Sequence, residues 1–165
     1  MAADPILMSH QEQVCRAELA RLINSMPFAA PAAVTLTMKK RHGARLADDI
    51  VASENFRHFR NRLEHSLLGS AAKLHGKHLM MIVVLETSAD NRLHYHCIID
   101  RPYHCTLVRF EVVVREEWTK TDFGYRHIDI QDQPDEGWTY YILKQRQKRS
   151  LFDSIDWANC QLIAE

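Results

Sequence analysis

Two histidines separated by one residue form the pattern with the most readily interpreted chemistry in this chain. His94 and His96 lie in the largely apolar run Leu93–Asp100, which is typical of a β-strand. Side chains alternate between the two faces of a strand, so both imidazoles point to one side and Tyr95 points to the other. Two imidazoles about 7 Å apart along a strand, the separation set by its rise per residue, can converge on one divalent cation. The pair therefore predicts a metal site.

A carboxylate is expected beside these histidines. Glu86 lies near the end of the apolar strand Leu79–Thr87, and the polar segment Ser88–Arg92 is typical of a hairpin turn. The turn places Glu86 across from the start of the next strand. One carboxylate and two imidazoles leave positions for a phosphate oxygen and water, a set that suits Mg²⁺ or Mn²⁺ and does not exclude zinc. Since histidine pairs also occur as solvated surface residues, the hypothesis depends on this third ligand.

A second reactive group lies on the predicted helix Asp135–Lys148, for which Asp135 is the expected N-cap. Tyr140 and Tyr141 precede Lys144 by four and three residues, so either ring can neighbour its ammonium group. A phenol with an ordinary pKa near 10 is a poor nucleophile, and a nearby cation favours the phenolate. Aromatic neighbours on a helix more often pack than react, so this pattern gains weight only beside a metal site.

The elements that must position these groups predict an α+β fold, with helices packed on an antiparallel sheet. The predicted helices are His10–Met26, Asp48–Leu74, Cys105–Thr119 and Asp135–Lys148, and the predicted strands are Ala33–Met38, Leu79–Thr87, Leu93–Asp100 and Tyr125–Ile130. The second helix is expected to end before Gly76. Its expected buried residues are Ile50, Phe56, Phe59, Leu63 and Leu67.

Length and composition narrow the class of protein. A chain of 165 residues suits a single core, and no apolar run is long enough to cross a membrane. No signal peptide is visible, and four scattered cysteines without paired spacing predict a reduced, cytoplasmic protein without structural zinc. The formal net charge is zero, so bulk electrostatics does not favour nucleic acid. Three local basic clusters are either solvated surface or nucleic-acid contacts: Lys39–His42, Arg57 with Arg60 and Arg62, and Lys144–Arg149.

The order of these motifs resembles the HUH endonuclease superfamily, most closely the nuclease domains of rolling-circle replication initiator (Rep) proteins. That family carries an apolar, threonine-containing strand, then a histidine–apolar–histidine pair, then a helix with a tyrosine followed three residues later by lysine. The matching segments are Val34–Thr37, His94–His96 and Trp138–Lys144. Glu86 stands where the Rep branch usually has an acidic ligand. Tyr95 is less apolar than usual, and the first predicted helix lies outside the minimal pattern.

The resemblance implies a metal-dependent endonuclease that nicks and rejoins single-stranded DNA on a ferredoxin-like or RRM-like sheet. The ligands of Mg²⁺ or Mn²⁺ would be Glu86, His94 and His96. Tyr141 would attack the phosphate, leaving a 5′-phosphotyrosyl link and a free 3′-hydroxyl, and strand transfer would reverse that step. Motif register favours Tyr141 over Tyr140 as the nucleophile. Lys144 would orient the phosphate or stabilise developing charge.

The resemblance further implies single-stranded or hairpin DNA as the partner, bound through backbone charge and base stacking. The candidate DNA-binding residues are Lys39, Lys40, Arg41, Arg57, Arg60, Arg146 and Lys148. We find no phosphate-binding loop of the GxxxxGK[ST] type, so any helicase is expected to be a separate protein. We expect a monomer or weak oligomer. The expected organisation is a helical extension over residues 1–32, the nuclease domain over 33–150, and a tail over 151–165 that packs on the same domain.

Three other functions are compatible with these residues. One is a single-tyrosine transposase, which shares the histidine motif. Another is a non-catalytic nucleic-acid-binding module on a ferredoxin-like sheet, in which histidines and tyrosines stack or pack. A metal-dependent phosphoesterase that acts on a small nucleotide would use water, instead of tyrosine, as the nucleophile.

Overall fold

The computed structural model describes residues 9–144 and 150–163, and its centre is an antiparallel sheet with helices on both faces. The strands are β1 (Pro31–Met38), β2 (Arg41–His42), β3 (Arg45–Leu46), β4 (Met81–Thr87), β5 (Leu93–Asp100) and β6 (Gly124–Asp132). The helices are α1 (His10–Asn24), α2 (Asp49–Leu68), α3 (Ser70–His75), α4 (Leu107–Thr119), α5 (Glu136–Ile142) and α6 (Leu151–Ser154).

The four long strands lie in the order β4-β5-β1-β6, and every neighbouring pair is antiparallel. Helix α2 connects β1 to β4 and helix α4 connects β5 to β6, which is the connectivity of a ferredoxin-like fold. The predicted α+β, ferredoxin-like class is confirmed. The short strands β2 and β3 form a separate hairpin that the sequence patterns did not predict.

One face of the sheet packs against α2 and α4 and forms the larger core. The rings of Phe56 and Tyr95 lie 4.6 Å apart between centroids, and Phe59 meets Trp118 edge-on at 5.3 Å. Strand residues in this core alternate along the chain, as the period of two requires. They include Val34, Leu36, Met81, Val83, Tyr95, Cys97 and Ile99.

The opposite face of the sheet is covered by α1, α5 and α6 only over β4 and β5. A second buried cluster joins Ile82, Val84 and Ile98 to residues of these helices. Along β6, by contrast, residues on this face such as Asp129 and Gln131 are exposed. Part of this face therefore stays open to solvent beside the helices.

The single long helix predicted over Asp48–Leu74 is wrong, because the segment forms two helices. Gly69 separates them with φ 59° and ψ −137°, a backbone conformation that glycine adopts readily and other residues do not. Ile50, which we expected to be buried, is 73% exposed in the first turn of α2. The fourth predicted helix is also too long, since α5 ends at Ile142.

The chain after α6 runs along the edge strand β4 and joins a polar network beneath the sheet. The backbone N–H of Asp156 donates to the carbonyl of Val83 at 2.9 Å. Its carboxylate accepts hydrogen bonds from the Tyr95 hydroxyl at 3.0 Å, from Ser53 at 3.0 Å and from Asn159 at 2.8 Å. Burial, aided by the charge of Asp156, raises the pKa of Tyr95 well above its usual range. The hydroxyl therefore stays protonated and donates, which explains a tyrosine at a usually apolar motif position.

The substitution Tyr95→Phe is expected to lower the free energy of unfolding by about 1–3 kcal/mol, because the Asp156 carboxylate loses a buried donor while the ring still fills its space. Urea unfolding of the whole chain measures the change. Tyr103→Phe is the matched control, since that ring is 97% exposed. Equal stability of Tyr95→Phe and the wild type would contradict a contribution from this bond.

Candidate metal centre and tyrosine helix

Strand register brings Glu86 and His94 into direct opposition on neighbouring strands. Glu86 of β4 pairs with His94 of β5, and His96 pairs with Thr35 of β1 on its other side. All four side chains lie on the face that α5 partly covers, opposite the larger core. The hairpin predicted from residues 79–100 is confirmed. Its turn is closed by hydrogen bonding between the backbone N–H of Ser88 and the carbonyl of Arg92 at 2.9 Å.

The three side chains converge closely enough to hold one metal ion. One potential ligand atom from each of Glu86, His94 and His96 lies within 4.8 Å of the others. The His96 Nε2 atom is 3.2 Å from a carboxylate oxygen of Glu86, and the two imidazole centroids are 5.4 Å apart. Over residues 9–144 and 150–163, no other group of three His, Cys, Asp or Glu side chains meets this geometry. A mixed set of two nitrogens and one oxygen fits a divalent cation.

Thr35 orients the more buried imidazole. Its Oγ1 lies 3.1 Å from Nδ1 of His96, and a proton on Nδ1 would let the ring donate to this hydroxyl. Nε2 would then keep its lone pair on the side of Glu86, which is the arrangement expected of a ligand held by a neighbour outside the coordination sphere. The sequence analysis placed this strand in the motif but gave Thr35 no role. A threonine inside an otherwise buried strand was the available signal.

The protonation of His94 also suits metal binding. Burial lowers the pKa of this imidazole, and a positive charge on His96 would lower it further, while the Glu86 carboxylate acts in the opposite direction. Since the net direction is downward, His94 is neutral near pH 7. A neutral imidazole is the form that coordinates a metal.

Helix α5 places one aromatic pair directly over the metal centre. The Tyr141 ring is perpendicular to His96, with 5.4 Å between centroids, and stacks on Trp138 at 5.2 Å and 24°. The ammonium nitrogen of Lys144 lies 4.4 Å from the Tyr141 ring centroid, within cation–π range. Tyr141 remains 37% exposed, so solvent and a ligand can reach it.

Tyr140 is directed elsewhere. Its ring lies beside Arg16 of α1, with the guanidinium carbon 5.8 Å from the ring centroid. Successive residues of a helix point about 100° apart, so packing Tyr141 toward the sheet turns Tyr140 away from it. Of the three predicted catalytic residues, the structure brings Tyr141 and Lys144 to the metal centre and leaves Tyr140 outside it.

The predicted DNA-binding residues divide into separate groups. Lys39, Lys40 and Arg41 follow β1, at the end of the sheet where Thr37 pairs with His94. Lys40 is already paired, with its ammonium 3.3 Å from Asp90. The other predicted residues are not brought to the site: Arg57 and Arg60 lie on α2 in the opposite layer, and Arg146 and Lys148 lie outside the described residues.

Sequence analysis missed a basic and aromatic pair at this same end of the sheet. Arg92, which directly precedes β5, places its guanidinium carbon 4.9 Å from the ring centroid of Tyr125. It also donates a hydrogen bond to the carbonyl of Met38 at 3.2 Å. An arginine two residues before His94 was the available signal, because the period of two puts both on one face.

The fold and these side chains define a class of protein. A ferredoxin-like sheet that carries two histidines and a glutamate beside a tyrosine helix is the arrangement implied by the resemblance to Rep-type HUH domains. In agreement, residues 31–150 match the family model of the ORF2-type replication-associated proteins. The match covers well over half of the chain, which therefore belongs to this family.

Family membership indicates a function in replication and interaction with DNA. No curated protein and no solved structure matches the chain. Within the described ranges, none of the helices combines the length and the apolar character needed to cross a membrane.

Proposed function

We propose that this protein nicks and rejoins single-stranded DNA through a covalent tyrosine intermediate, in the initiation of rolling-circle replication. The observation that carries the proposal is the position of Tyr141, packed edge-on against His96 within a potential metal-ligand group. A tyrosine beside a phosphate-activating centre has one evident use, which is nucleophilic attack on that phosphate. Membership of a replication-associated family supports DNA as the substrate.

The donor set fits a divalent cation, and its proposed ligands are Glu86, His94 and His96. When bound, Mg²⁺ or Mn²⁺ would polarise the phosphate and neutralise part of its charge. The chain itself supplies the shape of this centre. Glu86 and His94 are fixed by strand pairing, and His96 is held from behind by Thr35.

The proposed reaction is a transesterification. The Tyr141 hydroxyl oxygen forms a bond to phosphorus as it loses its proton, and the bond from phosphorus to the 3′-oxygen breaks. The departing 3′-oxygen takes up a proton, so the products are a 5′-phosphotyrosyl link and a free 3′-hydroxyl. Attack by a 3′-hydroxyl on the phosphotyrosine reverses the step and joins strands. The ammonium group of Lys144 lies where it stabilises negative charge on the phenolate or the phosphate.

The proposed path for DNA follows the end of the sheet nearest the metal centre. Lys39, Lys40 and Arg41 lie at this end and would contact phosphates of the bound strand. Arg146 and Lys148 follow Lys144 in the chain and are proposed to act on the same strand. Arg57 and Arg60 occupy the opposite layer, so they would contact only DNA that extends around the domain.

Covalent trapping tests this function. Purified wild-type protein with MnCl₂ and a pool of labelled oligonucleotides, both linear and hairpin-forming, should yield a protein–DNA adduct that survives SDS, and EDTA should abolish it. Cleavage without an adduct would instead support a phosphoesterase that uses water. Binding without any cleavage would support the non-catalytic module.

A further inference from the structure

Helix α1 is joined to the tyrosine helix by two side-chain hydrogen bonds. A terminal nitrogen of Arg16 donates to the backbone carbonyl of Tyr140 at 2.8 Å. The hydroxyl of Thr139 donates to the side-chain oxygen of Asn24 at 2.7 Å. These contacts link residues 124 and 115 positions apart in sequence, and they act on the two positions that directly precede Tyr141.

The contacts satisfy groups that a short helix cannot satisfy alone. Helix α5 has seven residues, and the carbonyls of a helix's last turn lack partners within it. Arg16 supplies the partner for Tyr140, and a positive charge at the C-terminal end of a helix is also favourable. Thr139 is only 3% exposed, so its hydroxyl needs the acceptor that Asn24 provides.

Apolar packing completes the attachment. Ala20 and Ile23 of α1 belong to the same buried cluster as Ile142 and Leu143 at the end of α5. Isolated helices shorter than about 12 residues are marginal in water, so α5 depends on such neighbours for its structure. The segment that carries α1 precedes the region matched by the family model, which begins at residue 31.

We infer that Arg16 and Asn24 are positioning residues, through which α1 holds Tyr141 in line with the phosphate at the metal centre. The inference rests on the proposed function. It assigns to the segment before the family region a role in the rate of nicking, separate from metal binding and from DNA binding. Because misplacing a reacting atom by about 1 Å can slow a reaction roughly 100-fold, small shifts of α5 should be visible in the rate.

The test measures the rate of adduct formation over a range of DNA concentrations, in the full chain with saturating MnCl₂. Arg16→Ala and Asn24→Ala should each lower the maximal rate about tenfold or more, with the DNA concentration at half-maximal rate unchanged. Asn24→Asp keeps an acceptor for Thr139 and should restore most of the rate. Arg21→Ala is the matched control, because this exposed arginine of α1 is paired with Glu18 on the same helix.

Hydrogen exchange provides a readout that does not require activity. The amides of residues 139–143 should exchange about fivefold faster in Arg16→Ala, while those of β5 keep the wild-type rate. Wild-type rates of adduct formation in both alanine variants would overturn the inference and leave the proposed function intact. If the wild type itself forms no adduct, the proposed function fails. The inference that Tyr141 is held for attack fails with it, and the exchange data then show only whether α1 stabilises α5.

Discussion

Replacing Tyr141 with phenylalanine should abolish the covalent DNA adduct, whereas Tyr140→Phe should form it at close to the wild-type rate. The first change removes the oxygen that would bond to phosphorus at the metal centre, so the yield should fall by about 10³-fold or more. The second removes a hydroxyl beside Arg16, on the side of α5 directed away from His96. The Tyr140 carbonyl that Arg16 contacts belongs to the backbone and is unchanged by the substitution.

The two variants form a matched pair, since each removes one hydroxyl from adjacent residues of the same short helix. The measurement is the yield of SDS-stable adduct over time, with circular dichroism to verify that both variants fold. If Tyr140→Phe loses the adduct and Tyr141→Phe keeps it, α5 must rotate when DNA binds. If both variants retain it, the nucleophile lies elsewhere in the chain.

Removing both histidines should eliminate stabilisation by manganese. With metal at about 100 times its dissociation constant, the wild type gains roughly 2.7 kcal/mol, which raises the melting temperature of a domain of this size by about 5–10 °C. In the double variant His94→Ala/His96→Ala this shift should vanish, because only Glu86 remains of the ligand group. The quantity compared is the metal-induced shift within each variant, so changes in metal-free stability do not affect the result.

Two further variants sharpen this test. Thr35→Val removes the hydroxyl that orients His96 and keeps all three ligands, so it should weaken manganese binding about 10- to 100-fold without abolishing it. His127→Ala removes an exposed histidine of β6 that is not in the ligand group, and the shift should stay at the wild-type value. A full shift in the double histidine variant would show that manganese binds at another site.

The metal centre was predictable because local rules place its members. Alternation in a strand puts His94 and His96 on one face, and the short polar turn Ser88–Arg92 puts Glu86 opposite them in the hairpin. The α2–α3 break was less accessible. Helical periodicity continues across Gly69, and only the observed positive φ shows that the helix ends there. The exposure of Ile50 likewise depends on how far α2 extends beyond the sheet.

The sequence by itself determined the order of motifs, the hairpin register and the face shared by Glu86, His94 and His96, since all of these follow from periodicities of the backbone. The tertiary structure alone decided which of Tyr140 and Tyr141 meets His96. Adjacent helical residues point about 100° apart, so the choice depends on which side of α5 packs on the sheet. It also decided that α1 contacts α5 and that α2 carries Arg57 and Arg60 to the opposite layer, because long-range packing has no signature in local sequence.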